Sequence, residues 1–477
     1  MTGRFNRTEA CQRAAPGRDD FLMPQIPRNL KIVVIPPPVT SDAGHGLERF
    51  SGSAWARFYR RFLKPIPVFR SLAFFIWRNA YPVYLRIAAS NSRDPDVEKW
   101  RRLVAYRDYR SDCVVPLADA AMVKTRLPRV IPAAYQHYIL PQDGYFAPEV
   151  TVKTIPQGRV NGGSNLVLTK DALICHDLID SKRDYTSEEL HGRMVIDTAS
   201  SRIRWLLRDA APVEMPCAAS FVDACAPNYA HWLTEVLPRL ALYCGQPRFA
   251  DVPIIVNAGL HKNILDSISY FAGEQREVIT LPVGRAVVVD ELHLTSVAGY
   301  VPFERRKGKL DGHAQGVFNP HAFQQIRACV LPHAETVQEG LIDKIYIRRN
   351  SGIRQVVNAA ELEAALVARG YAVVEPEKLS FIEQVRMFAG ARSIVGSSGA
   401  ALANLIFAPE SADIHVLIGR YADTSFWYWQ NMASAVGANI SYVFGEIESD
   451  GGIAIHADFR IDVAAFLKTL DSEADKP

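Results

Sequence analysis

The sequence predicts an α/β protein with two doubly wound, Rossmann-type domains that face each other across a cleft, preceded by a basic, aromatic N-terminal extension. Short apolar runs alternate with helical patterns of about ten to twelve residues, and this alternation occurs twice along the chain. Such alternation is typical of doubly wound sheets. With 477 residues and 48% apolar content, the chain is long enough to bury two hydrophobic cores.

The predicted elements form three groups. Between residues 112 and 215, short alternating runs with turn signals such as Gly162-Gly163 predict an antiparallel β section. The first α/β set has strands at 217–223, 252–257, 278–281, 286–289 and 292–296, and helices from Asn228 and at 262–273. After a linker near 303–335, the second set has strands at 344–349, 371–375, 393–396, 413–419 and 440–445, and helices at 359–370, 381–391, 400–407, 426–437 and 462–470.

These groups divide the chain into five predicted parts. The first residues are polar and proline-rich, a composition typical of extended or disordered segments. The parts are a flexible lead-in at 1–45, a basic aromatic helical arm at 46–110, a β-rich and α/β domain at 111–330, a C-terminal α/β domain at 335–446, and a C-terminal helix and tail at 447–477.

Charge and cysteine usage argue against several classes of protein. The 54 basic and 51 acidic residues nearly balance, so no global positive field marks a nucleic-acid-binding protein. The seven cysteines are scattered and form no CxxC pair, which favours buried thiols in a reducing compartment over a disulfide framework or a zinc site. The N-terminus lacks the apolar segment of a secretory signal peptide. We therefore expect a cytoplasmic protein.

The predicted arm has an unusual composition. From Trp55 to Arg86 it carries seven basic residues, ten aromatic residues and no acidic residue. This composition suits the surface of an anionic membrane, whereas the arginines within it argue against a membrane span. Peripheral contact with the inner face of the cell membrane is therefore one interpretation. The other is a helical arm packed on the protein's own body, with solvated arginines.

The stretch SIVGSSGAALANLIFAP, residues 393–409, is the strongest local signal for a binding site. An apolar strand ends at a small-residue turn, Gly396-Ser397-Ser398-Gly399, and a helix is predicted to start near Ala400. Free backbone N–H groups and the helix dipole make such a helix start suitable for an anion such as phosphate. The same pattern is also ordinary α/β packing, so the residues alone leave both interpretations open.

Charged residues accompany this turn in the same predicted domain. Arg348, Arg349 and Arg354 follow its first strand, beyond the carboxyl end, where open α/β sheets bind ligands. An arginine there suits a diphosphate, and a solvated loop is the alternative. Glu383, at the start of a helix, is favoured by the helix dipole and could also accept hydrogen bonds from a ribose. The DPD stretch at 94–96 lies outside the alternating strands, so no metal site is predicted.

The stretch NYAHWLTEVLPRL, residues 228–240, reads as a helix that follows a strand of the first α/β set, with Asn228 as the expected N-cap. Its first turn would face the cleft. His231 and Glu235 are one turn apart, so the carboxylate could orient the imidazole or act as a base itself. A solvated helix face is the alternative. Pro238 is expected to kink or end the helix, and Arg239 to be structural.

Three blocks of these residues, in this order, resemble glycosyltransferase family 61. The blocks are residues 228–240, 346–362 and 379–409, and the similarity covers roughly residues 215–420. The resemblance implies a GT-B fold and inverting, generally metal-independent transfer of a sugar from a nucleotide donor, usually a UDP-sugar. By position, it implies a donor pocket formed by Arg349, Arg354, Glu383, Ser398, Gly399, Ala400 and Asn404, faced from the acceptor side by Asn228, His231 and Glu235. Family members often carry His where this chain has Ser398, which can donate a hydrogen bond but carries no charge.

The residues and the resemblance together predict a bacterial, membrane-peripheral glycosyltransferase. It would add a sugar to a hydroxyl of a surface polysaccharide or glycolipid, such as capsule or lipopolysaccharide, with His231 or Glu235 taking the proton. The expected partners are the nucleotide-sugar donor, which is a substrate rather than a cofactor, a glycan or lipid-linked acceptor, and an anionic membrane, with no nucleic acid and no metal. Ser398 keeps open a non-catalytic nucleotide-sugar-binding or assembly protein of a polysaccharide-synthesis complex.

Overall fold

The computed structural model describes residues 30–37, 99–178, 194–197, 200–205, 211–301, 316–334, 342–350, 352, 354–420, 426–448 and 457–474. Most of the predicted arm at 46–110 lies outside these residues, so its membrane contact stays a prediction. The described end of that arm, Trp100–Ala105, is a strand rather than a helix, because it pairs with a strand on each side. Lys31–Val34, within the predicted lead-in, is also a strand.

The strands of the described part are numbered in chain order. They are β1 (Lys31–Val34), β2 (Trp100–Ala105), β3 (Val114–Ala118), β4 (Ala121–Lys124), β5 (Arg129–Ile131), β6 (Gly144–Ala147), β7 (Val150–Asn161), β8 (Val167–Leu168), β9 (Ala172–Cys175), β10 (Met194–Asp197), β11 (Arg202–Trp205), β12 (Val213–Ser220), β13 (Ile254–Asn257), β14 (Glu277–Leu281), β15 (Ala286–Thr295), β16 (Gly299–Tyr300), β17 (Val317–Phe318), β18 (Lys344–Ile347), β19 (Ala372–Val374), β20 (Ser393–Ser397), β21 (Asp413–Gly419), β22 (Asn439–Ile447) and β23 (Phe459–Arg460). The runs predicted at 286–289 and 292–296 form one continuous strand, β15.

The first large sheet joins the predicted β section to the first α/β set. Its strand order is β1-β14-β13-β12-β15-β7-β8-β9-β2-β11-β10, with β3 also paired to β7. The strands β1, β14, β13, β12 and β15 run parallel, whereas β15, β7, β8 and β9 pair antiparallel. Smaller two-stranded pairs, β16 with β17 and β4 with β6, accompany it.

The second large sheet has the order β19-β18-β20-β21-β22-β23, and β5 also pairs with β22. All pairs from β19 to β22 are parallel. In chain order, these five strands run 2-1-3-4-5 across the sheet, an order of doubly wound sheets. From β18 the chain continues to β19 on one side of the sheet, and from β20 it continues to β21 on the other side. A crevice therefore forms at the carboxyl ends of β18 and β20. Ile347 and Ser397 lie at those ends.

Most of the longer helices lie where the two alternating sets place them. The α-helices are Tyr229–His231, Leu237–Cys244, Lys262–Ala272, Pro320–Ala334, Ala359–Val367, Phe381–Gly390, Trp427–Val436 and Val463–Ala474; a π-helical turn spans Trp232–Val236, and 3₁₀ helices span Tyr106–Asp108, Ala133–Tyr138, Pro247–Phe249, Pro376–Lys378 and Ala400–Phe407. We call residues 229–244 the His231 helix and residues 400–407 the Ala400 helix.

Two helical predictions need correction. The Ala400 helix is a 3₁₀ helix and not an α-helix. The predicted linker near 303–335 contains the helix Pro320–Ala334, which packs against both the His231 helix and Phe381–Gly390. Its buried residues Ala322, Phe323, Ile326, Cys329 and Val330 follow a helical period, so a signal was present in the sequence.

One hydrophobic core runs through both halves of the described chain. The same cluster of buried residues includes Trp232 of the His231 helix, Phe323, Phe381 and Phe407. The structure therefore confirms a mixed α/β fold. It does not confirm two Rossmann-type domains that face each other across a cleft, because the helices between the two large sheets pack directly on one another.

The cysteines depart from the prediction at one position. Cys175, Cys217, Cys225, Cys244 and Cys329 are not disulfide-bonded, as expected. Cys113 is disulfide-bonded, which contradicts the prediction of thiols throughout. A disulfide requires two cysteine Cα atoms within about 7 Å, and the spacing of single cysteines along the chain does not reveal such proximity.

Candidate active site

Two arginines converge on one carbonyl oxygen at the carboxyl edge of the second sheet. Nη1 of Arg349 and Nη1 of Arg354 donate to the backbone oxygen of Ser398, at 3.3 and 3.4 Å. Arg354 has a φ of +56°, an uncommon conformation for a residue other than glycine, which marks a constrained loop. We call Arg349 and Arg354 the arginine pair. The neighbouring Arg348 points elsewhere, into ion pairs with two glutamates.

The arginine pair concentrates positive charge in a partly buried place. Burial, followed by the charge of Arg354, lowers the pKa of Arg349 to about 10, while Asp458 acts in the opposite direction. The guanidinium group of Arg349 therefore remains protonated at neutral pH. Because each cation raises the free energy of the other, an anion bound between them would relieve the repulsion and gain charge-assisted hydrogen bonds.

Gly399 makes room for this arrangement. A Cβ atom on Gly399 would lie 1.9 Å from Nη1 of Arg349. The φ of Gly399 is 178°, which any residue adopts, so space and not backbone conformation requires glycine here. The turn is held from the other side by Trp429, whose Nε1 donates to Oγ of Ser398 at 3.1 Å. The hydroxyl of Ser398 is therefore already a hydrogen-bond acceptor.

The Ala400 helix begins directly after this turn. Ala400 is exposed, and the arginine pair lies beside the turn that precedes it. The helix start and the arginine pair stand at the carboxyl ends of β20 and β18, where the order of the second sheet places a crevice. The positive end of the helix dipole and two arginines thus point to the same place, which suits a diphosphate.

The His231 helix carries the second group of polar residues. Asn228 caps its start, and Oδ1 of Asn228 accepts from the backbone N–H of Ala230 at 3.0 Å, as predicted. Nδ1 of His231 lies 2.6 Å from Oε1 of Glu235, and both residues are buried, at 9% and 6% exposure. The predicted contact between them is confirmed. We call His231 and Glu235 the histidine–glutamate pair.

A π-helical turn explains how this helix accommodates Pro238. Proline has no N–H, and its ring clashes with the carbonyl four residues earlier, here that of Thr234. The π-helical turn Trp232–Val236 absorbs the misfit, and the helix continues to Cys244. Pro238 therefore kinks the helix and does not end it. Single π turns inside α-helices occur often at functional sites, and this one contains Glu235.

Glu235 and Arg239 also border a cavity on the side of the first sheet. The cavity is small, and Asp223, His176 and Tyr300 line it as well. The backbone N–H of Val301 donates to Oε1 of Glu235 at 3.1 Å. Nη2 of Arg239 pairs with Oδ2 of Asp223 at 3.0 Å inside the protein, which supports the predicted structural role of Arg239.

Direct contacts join the two groups. The first turn of the His231 helix packs on the Ala400 helix. The hydroxyl of Tyr229 donates to Oδ1 of Asn404 at 3.0 Å across this contact. Burial raises the pKa of Tyr428, and the charges of Glu235 and Arg354 act on this pKa in opposite directions. The histidine–glutamate pair and the arginine pair therefore belong to one region of the molecule.

Three residues predicted for the site make their hydrogen bonds within the protein. Glu383 is exposed, and its Oε2 accepts from the backbone N–H of Ser380 at 2.7 Å, which caps a helix and lowers the pKa of the carboxyl. Asn404 is fully buried among protein groups. Asn228 is exposed and serves as a cap. Trp429 and Tyr229 were not predicted, because no local pattern announces contacts between residues so distant in sequence.

The described residues contain neither a metal-binding cluster nor a membrane-spanning helix. Within them, no group of three or more His, Cys, Asp or Glu side chains is arranged to hold a metal ion. Within the same residues, no helix has the length and apolarity needed to span a bilayer.

Comparison with known proteins covers the central region of the chain. Residues 229–415 match the family model of Glycosyltransferase 61. This range contains the histidine–glutamate pair, the arginine pair and the turn at Ser398. No curated protein matches the chain. The family match supports the resemblance predicted for roughly 215–420 and indicates a glycosyltransferase domain at residues 229–415.

Proposed function

We propose that the chain is an inverting, metal-independent glycosyltransferase that moves a sugar from a nucleotide-sugar, a UDP-sugar in the first instance, to a hydroxyl of a surface polysaccharide or glycolipid. One observation carries the proposal. Two half-buried arginines converge on the carbonyl of Ser398 beside a helix start, and the helix behind them contacts the helix of the histidine–glutamate pair. An anion site and a base thus adjoin, as sugar transfer from a diphosphate requires.

In this proposal the diphosphate of the donor lies between the arginine pair and the start of the Ala400 helix. The anomeric carbon loses its bond to the phosphate oxygen, and the diphosphate leaves with the electron pair. The charge that grows on the leaving oxygen is stabilised by two guanidinium groups and the helix dipole, which already point at the site. No metal is needed for this neutralisation.

The histidine–glutamate pair supplies the base. A carboxylate that accepts from Nδ1–H of an imidazole holds the tautomer in which Nε2 carries no proton and can accept one, as in a catalytic triad. The 2.6 Å contact between His231 and Glu235 has this form. We therefore assign proton removal from the acceptor hydroxyl to His231 and orientation of its ring to Glu235. The deprotonating oxygen attacks the anomeric carbon opposite the diphosphate, which inverts its configuration.

The wider setting is part of the same proposal. A GT-B arrangement would use the first sheet for the acceptor and the second for the donor, in a bacterial enzyme of the cytoplasm. The basic, aromatic segment from Trp55 to Arg86 would bring it to the inner face of the membrane, where lipid-linked acceptors are found. Deletion of residues 46–98, which leaves β1 in place, should then weaken binding to anionic vesicles, and equal binding by both forms would contradict the membrane role.

The test of the reaction is release of UDP from UDP-sugars in the presence of candidate acceptors. We expect His231→Ala to lower kcat by about 10²- to 10⁴-fold and Glu235→Gln to lower it less, because the base is lost in one and only misoriented in the other. Arg349→Ala should mainly weaken donor binding. Arg369→Ala, whose partner is Asp471 at the surface, is the matched control. Full turnover by His231→Ala would refute the assignment of the base.

A second candidate is a non-catalytic nucleotide-sugar-binding or assembly protein of a polysaccharide-synthesis complex. The supporting observation is Ser398, which offers no charge and whose hydroxyl already accepts from Trp429. Calorimetric titration with UDP-sugars separates the two candidates. Donor binding without UDP release in any acceptor mixture would favour this reading, and acceptor-dependent release would exclude it.

A further inference from the structure

A chain of hydrogen-bonded side chains, two buried and one partly buried, crosses the contact between the His231 helix and the Ala400 helix. Asn404 stands at its centre and is fully buried. Its Oδ1 accepts from the hydroxyl of Tyr229 at 3.0 Å. Its Nδ2 donates to Oε1 of Gln384 at 2.9 Å and to the backbone oxygen of Ala401 at 3.0 Å. Both ends of the Asn404 amide are therefore used, and its orientation is determined.

The chain connects elements that carry the two halves of the site. Tyr229 lies in the first turn of the His231 helix, two residues before His231. Asn404 lies one turn into the Ala400 helix, and its bond to Ala401 secures the turn of backbone that follows Gly399. Gln384 anchors the arrangement on the helix Phe381–Gly390. The hydrogen bonds of Asn404 run to protein groups on both sides, so Tyr229, Asn404 and Gln384 are placed to orient other groups.

Burial determines which groups donate in these hydrogen bonds and raises the free-energy cost of breaking them. Burial raises the pKa of Tyr229, so its hydroxyl stays protonated and donates. A buried amide that loses a partner keeps the full cost of its desolvation, so the chain favours one relative placement of the two helices over its alternatives. An in-line displacement depends on placement of the reacting groups to well within 1 Å.

We propose that Tyr229, Asn404 and Gln384 are positioning residues that fix the distance between the histidine–glutamate pair and the arginine pair. The inference rests on the proposed sugar transfer. It also replaces the predicted role of Asn404 as a donor-pocket residue. These three side chains determine the position of the base relative to the leaving group and do not contact either substrate.

The test compares two buried tyrosines. Tyr229→Phe removes one hydrogen bond from the chain. Tyr371→Phe removes a comparable one elsewhere, since the hydroxyl of Tyr371 lies 2.6 Å from Oγ of Ser393 at the start of β20. We expect Tyr229→Phe to lower kcat by about 10- to 100-fold while KM for the donor changes less than about twofold. Tyr371→Phe should leave both constants unchanged. Equal kcat values in the two variants would overturn the inference.

Gln384 supplies an independent variant. Gln384→Glu keeps an acceptor for Nδ2 of Asn404, whereas Gln384→Leu removes it. We expect the glutamate variant to retain most of the wild-type kcat and the leucine variant to lose it, with similar melting temperatures for both. If kcat fell only in those variants whose melting temperature also fell, and in proportion to it, these residues would have a merely structural role.

Hydrogen exchange measures how firmly the His231 helix and the Ala400 helix are held together, and it does not require turnover. Failure of the inference is therefore distinguishable from failure of the proposed function. The amides of residues 229–236 and 400–407 should exchange faster in Tyr229→Phe than in Tyr371→Phe. Unchanged exchange in both segments would overturn the inference, whatever reaction the protein catalyses.

Discussion

Gly399 provides the sharpest single test of the anion site. A Cβ atom in Gly399→Ala would lie 1.9 Å from Nη1 of Arg349 and 3.2 Å from its Cζ, so the guanidinium must leave its place. The group that moves is the far end of a flexible side chain, and the backbone of Gly399 is extended. Folding stability should therefore change little. What is lost is one arginine at the proposed diphosphate.

The expected loss of donor affinity follows from the one arginine contact that is removed. A hydrogen bond to a charged group contributes about 1.5 to 3 kcal/mol, which corresponds to about a 10- to 100-fold weaker donor Kd. Calorimetric titration with a UDP-sugar measures it directly, and thermal unfolding checks that the melting temperature is preserved. The matched control is Gly352→Ala in the same loop, where a Cβ atom meets nothing within 4 Å. A Kd for Gly399→Ala equal to that of Gly352→Ala would refute the reasoning.

Three further predictions concern stability. Burial holds the pKa of His293 at about 4, against 6.5 in the unfolded chain, so the unfolded state binds a proton first as pH falls. The contribution of His293 to stability is therefore full above about pH 6.5 and is lost toward pH 4. We expect this contribution to fall by about 2 kcal/mol between pH 7.5 and 5. Gly299→Ala places a Cβ atom 1.9 Å from the carbonyl oxygen of Thr234, and we expect a loss of about 3 kcal/mol. Arg239→Met strands the buried carboxylate of Asp223 and should cost about 3 to 5 kcal/mol.

Urea denaturation measures all three. For the acid effect, His293→Gln keeps an acceptor for the hydroxyl of Tyr243 and should show the smaller drop; an identical drop in the variant would point to other groups. For Gly299, the control is again Gly352→Ala, and equal stability of the two would mean that the backbone at Thr234 yields. For Arg239, a cost below about 1 kcal/mol would show that water reaches the carboxylate.

Features that depend on neighbouring residues in the chain could be predicted from the sequence. The alternation of strands and helices, the cap at Asn228 and the approach of Glu235 to His231 all follow from local periods of two or 3.6 residues. The convergence of Arg349 with the turn at Ser398 was also accessible. Both follow strands of one sheet, and carboxyl ends of neighbouring parallel strands meet.

Features that depend on distant partners could not be predicted. Glu383 is the exception, because its partner Ser380 lies only three residues away and the Ser-x-x-Glu pattern of a capping box could have been read from the sequence. Asn404 was placed in the pocket, yet it bonds to Tyr229, 175 residues away. The π-helical turn arises because Pro238 must remain in a helix whose two ends are both packed, which is a tertiary constraint.

The hydrophobic core shared by the two halves has a consequence for how the chain folds. Because Trp232, Phe323 and Phe407 belong to one buried cluster, neither large sheet can lose its structure and leave the other intact. We expect the parts joined by this core to melt in a single calorimetric transition. A ligand bound at the arginine pair should then raise the melting point of residues in the first sheet as much as in the second, and a fragment ending before Pro320 should not fold alone.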